Sequence, residues 1–165
     1  MSEFTIRPAT ANDAEPIRAI YNYYVTHSTC TYQIVLETAE ERAAWLRDRS
    51  ERHPVTVAES DGGVIGWAAL SPWKSRCGYA RAAEASVYIH HQHHRRGLGR
   101  ALLLDLIERA KAAGLHTIIG GASADQHASL ALQIALGFEV VGTFRESGRK
   151  FDRWLDVTYT QLVLP

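Results

Sequence analysis

The sequence has no surplus of charge of either sign, because its 165 residues include 18 Lys and Arg and 18 Asp and Glu. Binding to a polyanion is favoured by a surplus of basic residues, which replace condensed counterions. We therefore do not expect nucleic acid as a partner. A local basic cluster could still bind a small phosphorylated molecule.

Cysteine is scarce, since the chain contains only Cys30 and Cys77. The two are far apart and form no Cys-x-x-Cys pair, so the sequence indicates neither a zinc knuckle nor a disulfide scaffold. The first residues lack a basic segment followed by an apolar run. No stretch reaches the roughly 18 apolar residues of a membrane span. We expect a cytoplasmic protein with reduced thiols and no membrane contact.

Composition breaks, repeats and low-complexity tracts are also missing, so we expect a single domain over residues 1–165. Hydrophobic residues make up 46% of the chain, which is enough for a sizeable core. Hydrophobic periodicity and capping patterns predict alternating strands and helices, and therefore an α/β sandwich around one mixed sheet with a parallel β-α-β unit in the middle. The predicted strands cover residues 4–7, 55–57, 64–70, 83–90, 117–122, 138–144 and 154–164, and helices follow Thr10, Thr38, Gly97 and His127.

A glycine-containing basic loop, His-Arg-Arg-Gly-Leu-Gly-Arg at residues 94–100, lies between a predicted strand and a predicted helix. Gly97 and Gly99 allow a tight turn, so backbone N–H groups and the helix N-terminus are able to bind a phosphate. The loop matches neither GxxxxGK[ST] nor GxGxxG, which gives no support to nucleotide hydrolysis or dinucleotide binding. A solvated basic turn is the alternative that the spacing leaves open.

The strand before this loop has two distinct faces. Alternation over residues 83–90 places Glu84 and Tyr88 on one face and Val87 and Ile89 on the other. A carboxylate and a phenol therefore point the same way.

Residues 84–89, Glu-Ala-Ser-Val-Tyr-Ile, and 95–99, Arg-Arg-Gly-Leu-Gly, together resemble the acetyl-CoA-binding core of the GNAT N-acetyltransferase superfamily. The resemblance covers nearly the whole chain and implies a mostly antiparallel central sheet flanked by helices. Four more blocks are similar to the branch with phosphinothricin and methionine sulfoximine N-acetyltransferases: Ile-Tyr-Asn at 20–22, Pro-Trp-Lys at 72–74, Ala-Leu-Gly-Phe at 135–138 and Gly-Arg-Lys-Phe-Asp-Arg-Trp-Leu-Asp at 148–156.

The resemblance implies an enzyme that transfers acetyl from acetyl-CoA to the primary amine of a small amino-acid-like substrate, such as phosphinothricin, methionine sulfoximine or methionine sulfone, without a metal. In the family, a strand segment gives backbone hydrogen bonds to the pantetheine arm, the glycine loop wraps the pyrophosphate, and an asparagine, here Gln126, touches the cofactor. The implied cofactor-binding residues are Val87, Tyr88, Ile89, Arg95, Arg96, Gly97, Leu98, Gly99, Arg100 and Gln126.

The implied chemistry needs a base, because an alkylammonium with a pKa of about 8 must lose a proton before it attacks. The family places a glutamate at Glu84, which is the candidate catalytic residue, acting directly or through a water. From the residues alone, a surface carboxylate at a strand start is the alternative. A backbone N–H near Ile89 would stabilise the carbonyl oxygen. Tyr79, Tyr88 and Tyr159 are possible proton donors, although a thiolate with a pKa of roughly 8.5 requires no strong acid.

The family's substrate-contacting segment matches Lys74, Ser75 and Arg76, which with Glu84 are the candidate substrate-binding residues. Lys74 and Arg76 carry the charge to pair with a carboxylate or phosphinate. A solvated turn is the alternative for this segment. Tyr32 is a candidate pocket wall, and an ordinary core aromatic is the alternative for it.

Histidines are dense at residues 90–94, His-His-Gln-His-His, and such a run is able to bind transition metals. No carboxylate or thiol completes a ligand set there, so we expect adventitious binding and no functional metal site. Other functions that remain open are acetylation of a protein N-terminus or polyamine, a non-catalytic acyl-CoA sensor, and a metal-binding module. The resemblance also implies a homodimer, through the C-terminal strand and residues 150–154.

Overall fold

A computed structural model describes residues 4–165 and contains seven strands in one sheet. The strands are β1 (Thr5–Pro8), β2 (Val55–Ser60), β3 (Gly63–Pro72), β4 (Ala82–Ile89), β5 (Thr117–Ser123), β6 (Glu139–Lys150) and β7 (Arg153–Val163). The α-helices are α1 (Ala14–His27), α2 (Ala39–Arg47), α3 (Leu98–Ala112) and α4 (His127–Ala135).

The strand order is β1-β2-β3-β4-β5-β7-β6. Every neighbouring pair is antiparallel except β4 and β5, which are parallel. Parallel neighbours need a long crossover connection, and α3 provides it. The predicted mixed, mostly antiparallel sheet with a parallel middle unit is therefore confirmed.

Side-chain caps fix where the first two helices begin. Thr38 and Glu41 form a reciprocal capping box at the start of α2, with hydrogen bonds of 3.1 and 2.8 Å. Thr10 and Asp13 make the same kind of pair at a 3₁₀ turn (Ala11–Asp13) that leads directly into α1, where the Thr10 N–H donates to the Asp13 carboxylate at 2.7 Å. These bonds satisfy N–H groups that have no partner within the helix. Both predicted helix starts are confirmed.

The helices cover both faces of the sheet. On one face, Ile17 and Ile20 of α1 pack with Val57 and Trp67, and α2 adds Trp45. On the other face, α3 buries Leu98, Leu102, Leu103 and Leu106 in a second apolar cluster, which α4 also contacts. None of the helices in residues 4–165 is long and apolar enough to span a membrane.

Strands β4 and β5 separate soon after they meet. They pair only from Ala82, opposite Thr117, to Glu84, opposite Ile119. Beyond Glu84, β4 continues to Ile89 with β3 as its only strand partner in the described chain. The two strands therefore form the walls of a cleft that opens in the middle of the sheet.

Strand β6 is longer than predicted, because it extends to Lys150 instead of ending at residue 144. Residues 145–148, Arg-Glu-Ser-Gly, lie beyond the predicted end of the strand. In the structure they form an irregularity between Phe144 and Gly148, where Glu146 has a φ of 49° and the pairing with β7 shifts register. A bulge of this kind lets a strand continue past turn-like residues.

Candidate active site

A cavity of about 240 Å³ occupies the gap between β4 and β5. Residues 84–88 of β4 and 120–123 of β5 form two of its walls, and residues 30–32, from the loop after α1, form a third. Gln126 at the start of α4 and Tyr159 of β7 also line it, as do apolar side chains from α3, from α4 and from the residue just before β6. Because β4 and β5 do not pair here, the cavity reaches the backbone of a central strand.

Alternate residues of β4 direct their backbone N–H and C=O groups towards β3, and the residues between them direct theirs towards the cleft. The His90 N–H donates to the carbonyl of Ile65 on β3 at 2.9 Å. In an antiparallel ladder this places the backbone groups of Val87 and Ile89 on the side away from β3, where β5 has diverged. The Ile89 carbonyl accepts a hydrogen bond from the Tyr24 hydroxyl. The cleft therefore has backbone donors and acceptors of the kind expected to hold a pantetheine arm.

Tyr88 occupies the alternate position in the same ladder. It lies opposite Trp67, so its own backbone groups point towards β3 and its side chain lines the cavity. The Tyr88 hydroxyl lies 3.4 Å from the carbonyl of Cys30, and burial raises the pKa of this phenol. The geometry thus separates Tyr88, a side-chain wall, from its two neighbours, which offer backbone groups.

Glu84 lies where β4 and β5 part. Its carboxylate lines the cavity, and within residues 4–165 it has no hydrogen bond or salt bridge. Burial raises the pKa of Glu84 above its usual value. A Cβ atom on Gly121 would lie 3.4 Å from Glu84 Oε1, so the glycine leaves room for the carboxylate. A half-buried carboxylate without a partner, beside a cavity, has the properties of a general base.

Tyr159 contributes a wall close to Glu84. Its ring packs edge-on against Trp73 and Phe144, at centroid distances of 5.5 and 5.7 Å. Burial, followed by the charge of Glu84, raises the pKa of the Tyr159 phenol, so the hydroxyl stays protonated at neutral pH. Tyr79, by contrast, is exposed and does not line the cavity.

The basic loop ends at a helix N-terminus without a side-chain cap. Gly97 is the N-cap residue of α3 and has a φ of 79°, in the left-handed region that favours glycine. Because no side chain caps α3, its first N–H groups are available to an anion. Arg95, Arg96 and Arg100 are exposed beside this point, whereas Leu98 is buried in the core. Gly99 lets α3 approach Leu132 of α4, because a Cβ there would lie 3.2 Å from that side chain.

Gln126, at the position of the family asparagine, is tied to the loop after α1. Its amide nitrogen donates to Thr29 Oγ1 at 2.8 Å, and Thr29 donates in turn to Asp125 at 2.8 Å. Gln126 also lines the cavity. One amide N–H is therefore engaged, and the rest of the amide group is available to a ligand.

Lys74, Ser75 and Arg76 are exposed in the loop after β3 and do not line the cavity. The Lys74 ammonium lies 5.6 Å from the centroid of the Trp73 ring, and that ring contacts Tyr159. The structure therefore brings Glu84 to the cavity and leaves the other three candidate substrate-binding residues outside its lining, with Lys74 linked to it through Trp73 and Tyr159.

Part of the cavity wall was missed by the sequence reasoning. Cys30 and Thr31 line the cavity beside Tyr32, the predicted wall residue. Nothing in the pattern around Cys30 distinguishes it from an ordinary thiol, and burial raises its pKa. The pair Gly120 and Gly121 was the available signal, because two glycines inside an apolar strand often mark close approach of another group.

The histidine run packs against aromatic rings instead of gathering around a point. His91 stacks on Tyr23 at 4.0 Å between centroids, and His90 stacks on His91 at 4.5 Å. His94 Nε2 lies 2.6 Å from the Tyr24 hydroxyl. Across residues 4–165, no three His, Cys, Asp or Glu side chains are arranged to hold a metal ion.

Comparison with known proteins gives matches over nearly the whole chain. Residues 6–159 match the family model described as acetyltransferase (GNAT) domain. The chain is 38% identical to the L-amino acid N-acyltransferase MnaT of Escherichia coli (strain K12), covering 97% of this chain and 94% of the relative. Identity is 38% to an L-methionine sulfoximine/L-methionine sulfone acetyltransferase of Salmonella typhimurium, with the same coverage. It is 36% to a phosphinothricin N-acetyltransferase of Streptomyces viridochromogenes, covering 94% and 85%.

Two solved structures have closely similar folds. The protein yncA from Salmonella typhimurium, solved with its cofactor acetyl-CoA, gives a TM-score of 0.95 at 38% identity, over 98% of this chain and 94% of that one. A GNAT superfamily phosphinothricin acetyltransferase from Sinorhizobium meliloti in complex with AcCoA gives a TM-score of 0.94 at 33% identity, over 99% and 89%.

Proposed function

The chain belongs to the GNAT acetyltransferase family, and from that premise we propose that it transfers the acetyl group of acetyl-CoA to the primary amine of a small amino-acid-like substrate. Methionine sulfoximine, methionine sulfone and phosphinothricin are the first acceptors to test, because relatives named for them are 36% to 38% identical. The observation that carries the proposal is the partnerless carboxylate of Glu84 beside a cavity in the split sheet.

Binding of acetyl-CoA would use two parts of the cleft. The backbone groups of Val87 and Ile89 that face away from β3 would bond the amides of the pantetheine arm. The uncapped N-terminus of α3 at Gly97 would bind the diphosphate, and Arg95 and Arg96 would add positive charge. Both parts supply mainly backbone N–H groups, which suits a phosphorylated carrier in a chain without net charge.

Glu84 would then act as the base. It accepts a proton from the ammonium of the acceptor, and the freed amine nitrogen bonds to the thioester carbonyl carbon. The carbon–sulfur bond breaks and the nitrogen gives up its second proton, which the released thiolate of CoA takes up by way of water or Tyr159. Glu84 then returns its own proton to solvent. A backbone N–H on the cleft side of β4 would stabilise the charge on the carbonyl oxygen. The raised pKa of Glu84 brings it closer to that of the amine and makes it a stronger base.

The size and lining of the cavity favour a small acceptor. A volume of about 240 Å³, enclosed by Tyr32, Tyr88 and Tyr159, suits an amino acid better than a protein N-terminus or a long polyamine. Lys74 and Arg76, exposed in the loop after β3, would pair with a carboxylate or phosphinate on the same molecule.

A second copy of this chain is the proposed partner. The hairpin of β6 and β7 exposes an apolar surface, with Val141, Phe144 and Trp154 each at least 60% exposed and Phe151 half exposed. Several large exposed apolar side chains on one hairpin are typical of an interface between protein copies. We expect a homodimer with this surface buried, and light scattering on the purified protein tests it.

The proposed function is tested by measuring thiol release from acetyl-CoA against phosphinothricin, methionine sulfoximine, methionine sulfone, spermidine and N-terminal peptides. We expect turnover on at least one of the first three. Turnover on peptides or spermidine alone would refute the substrate class. If calorimetry shows that acetyl-CoA binds but no amine is acetylated, a non-catalytic acyl-CoA sensor would be favoured instead.

A further inference from the structure

Lys150, at the end of β6, is a buried cation with an unusual set of partners. It is 3% exposed, and its ammonium donates to the backbone carbonyls of Tyr24 at 3.2 Å, Ser28 at 2.6 Å and Thr31 at 2.8 Å. An ammonium has three N–H donors, so every one has an acceptor. No carboxylate in residues 4–165 lies within 4 Å of it. The C-terminal end of α1, where carbonyls point outward, helps to stabilise the charge.

The three carbonyls belong to the segment that forms one wall of the cavity. Tyr24 is in the last turn of α1, Ser28 is its C-cap, and Thr31 lines the cavity together with Cys30. After Ser28 the chain has no regular secondary structure until α2. The route of this wall therefore depends on side-chain bonds, and Lys150 makes two of them on either side of Cys30.

The same end of β6 also seats Tyr32. A Cβ atom on Gly148 would lie 2.5 Å from Tyr32 Cε1, so the tyrosine ring rests directly on the glycine backbone. The Tyr32 hydroxyl is buried and has no hydrogen-bond partner within the described part of the chain. An unpaired buried hydroxyl beside a cavity is available to a ligand. Gly148 and Lys150 thus help to place an unpaired hydroxyl in the wall of the cavity that Glu84 also lines.

We propose that Lys150 is a positioning residue for the amine acceptor: by holding the carbonyls of Tyr24, Ser28 and Thr31, it sets the place of the cavity wall that carries Cys30 and Tyr32. This inference rests on the proposed function and adds a specificity element to the same site. The main elements proposed to bind acetyl-CoA, the backbone of β4 and the N-terminus of α3, make no hydrogen bond to Lys150, and only Gln126 is linked to the held segment, through its bond to Thr29. Loss of the ammonium should therefore affect the acceptor far more than the cofactor.

The test is the substitution Lys150→Met, which keeps much of the apolar stem and removes the donors. Because a displaced wall loses contacts with the bound acceptor, we expect the KM for the acceptor to rise by about tenfold or more, which corresponds to about 1.4 kcal/mol of lost binding. The Kd for acetyl-CoA, measured by calorimetry, should change by less than about threefold. Hydrogen exchange should speed up in peptides covering residues 28–36 and stay unchanged in α3.

Two further variants keep the test decisive. Arg149→Met, on the same strand but exposed, is the matched control and should leave KM and exchange unchanged. Lys150→Gln keeps amide donors without the charge, should fall between wild type and Lys150→Met, and serves alone if Lys150→Met does not fold. An unchanged acceptor KM, or an equal loss of acetyl-CoA affinity, would overturn the role of Lys150. Absence of turnover in the wild type would instead refute the proposed function. Hydrogen exchange over residues 28–36 would still show whether Lys150 holds this segment in place.

Discussion

Replacing Glu84 by Gln removes the proposed base and changes little else in the cavity. Glutamine has nearly the same shape, and Glu84 has no hydrogen bond or salt bridge in residues 4–165 that the change would break. A positioned general base contributes a factor of about 10²–10⁴ to rate, equivalent to about 3–5 kcal/mol of barrier. We expect kcat to fall by that factor and the Kd for acetyl-CoA to stay within about threefold.

The pH dependence should change as well. Because burial raises the pKa of Glu84, the acidic side of the kcat/KM profile should fall off above the ordinary glutamate value of about 4.3. Below that point the carboxyl is protonated and is unable to accept a proton from the amine. The Gln variant should lack this titration, which stopped-flow or steady-state thiol release across pH 5–9 measures.

The Glu84→Gln substitution should leave thermal stability equal or higher while it lowers activity. A carboxyl whose pKa is raised by folding stabilises the fold below its unfolded pKa, and that contribution is lost as the pH rises through the folded value. At pH 7 the ionised Glu84 therefore costs stability, and Glu84→Gln should have an equal or higher Tm. Glu139→Gln, an exposed carboxylate on β6, is the control and should alter neither quantity. A wild-type kcat in the Glu84→Gln variant would refute the role of Glu84 as the general base.

Three smaller predictions concern Gly97 in the basic loop, Asp13 before α1 and the hydroxyl of Tyr159. Gly97→Ala and Gly114→Ala introduce the same positive-φ strain at opposite ends of α3, and no atom lies within 4 Å of the added Cβ in either case. Each variant should therefore lose about 1 kcal/mol of stability. Only Gly97→Ala should weaken acetyl-CoA binding measured by calorimetry. Asp13→Asn should lower the free energy of unfolding at pH 7, because the hydrogen bonds from Arg7 hold the pKa of that carboxyl down; the difference should shrink as the pH falls below about 4 in urea titrations. Tyr159→Phe should lower kcat by less than about tenfold, since a thiolate leaving group needs no strong acid, and a larger loss would assign proton donation to this phenol.

Local signals in the sequence account for most of the fold. The capping pairs at Thr10 and Thr38 depend only on residues three positions apart, and both helices begin where these pairs predict. The parallel β4-α3-β5 unit follows from the order strand, helix, strand, which is confirmed. The end of β6 was misplaced because the bulge near Glu146 is stabilised by a contact with another strand, the hydrogen bond from its N–H to Asp156. Such a partner is not visible in the local pattern.

Strand alternation was enough to predict the site residues of β4. It could not predict the wall residues whose position depends on packing against residues distant in sequence. Alternation along β4 correctly placed Glu84 and Tyr88 on one face, and both line the cavity. The wall formed by Cys30 and Thr31 was missed, because it is held by Lys150, 119 residues away from Thr31 in sequence. A lysine is rarely buried, so composition gives no sign that this one lies inside.

The three-residue pairing of β4 with β5 also has a practical consequence for the protein without its ligand. An interior strand with unpaired amides resembles the margin of a sheet, which is a template for adding a strand from another molecule. Filling that gap with a ligand that binds only the native state shifts the unfolding equilibrium by mass action. Preparations stored with coenzyme A should therefore resist aggregation and proteolysis longer than preparations stored without it.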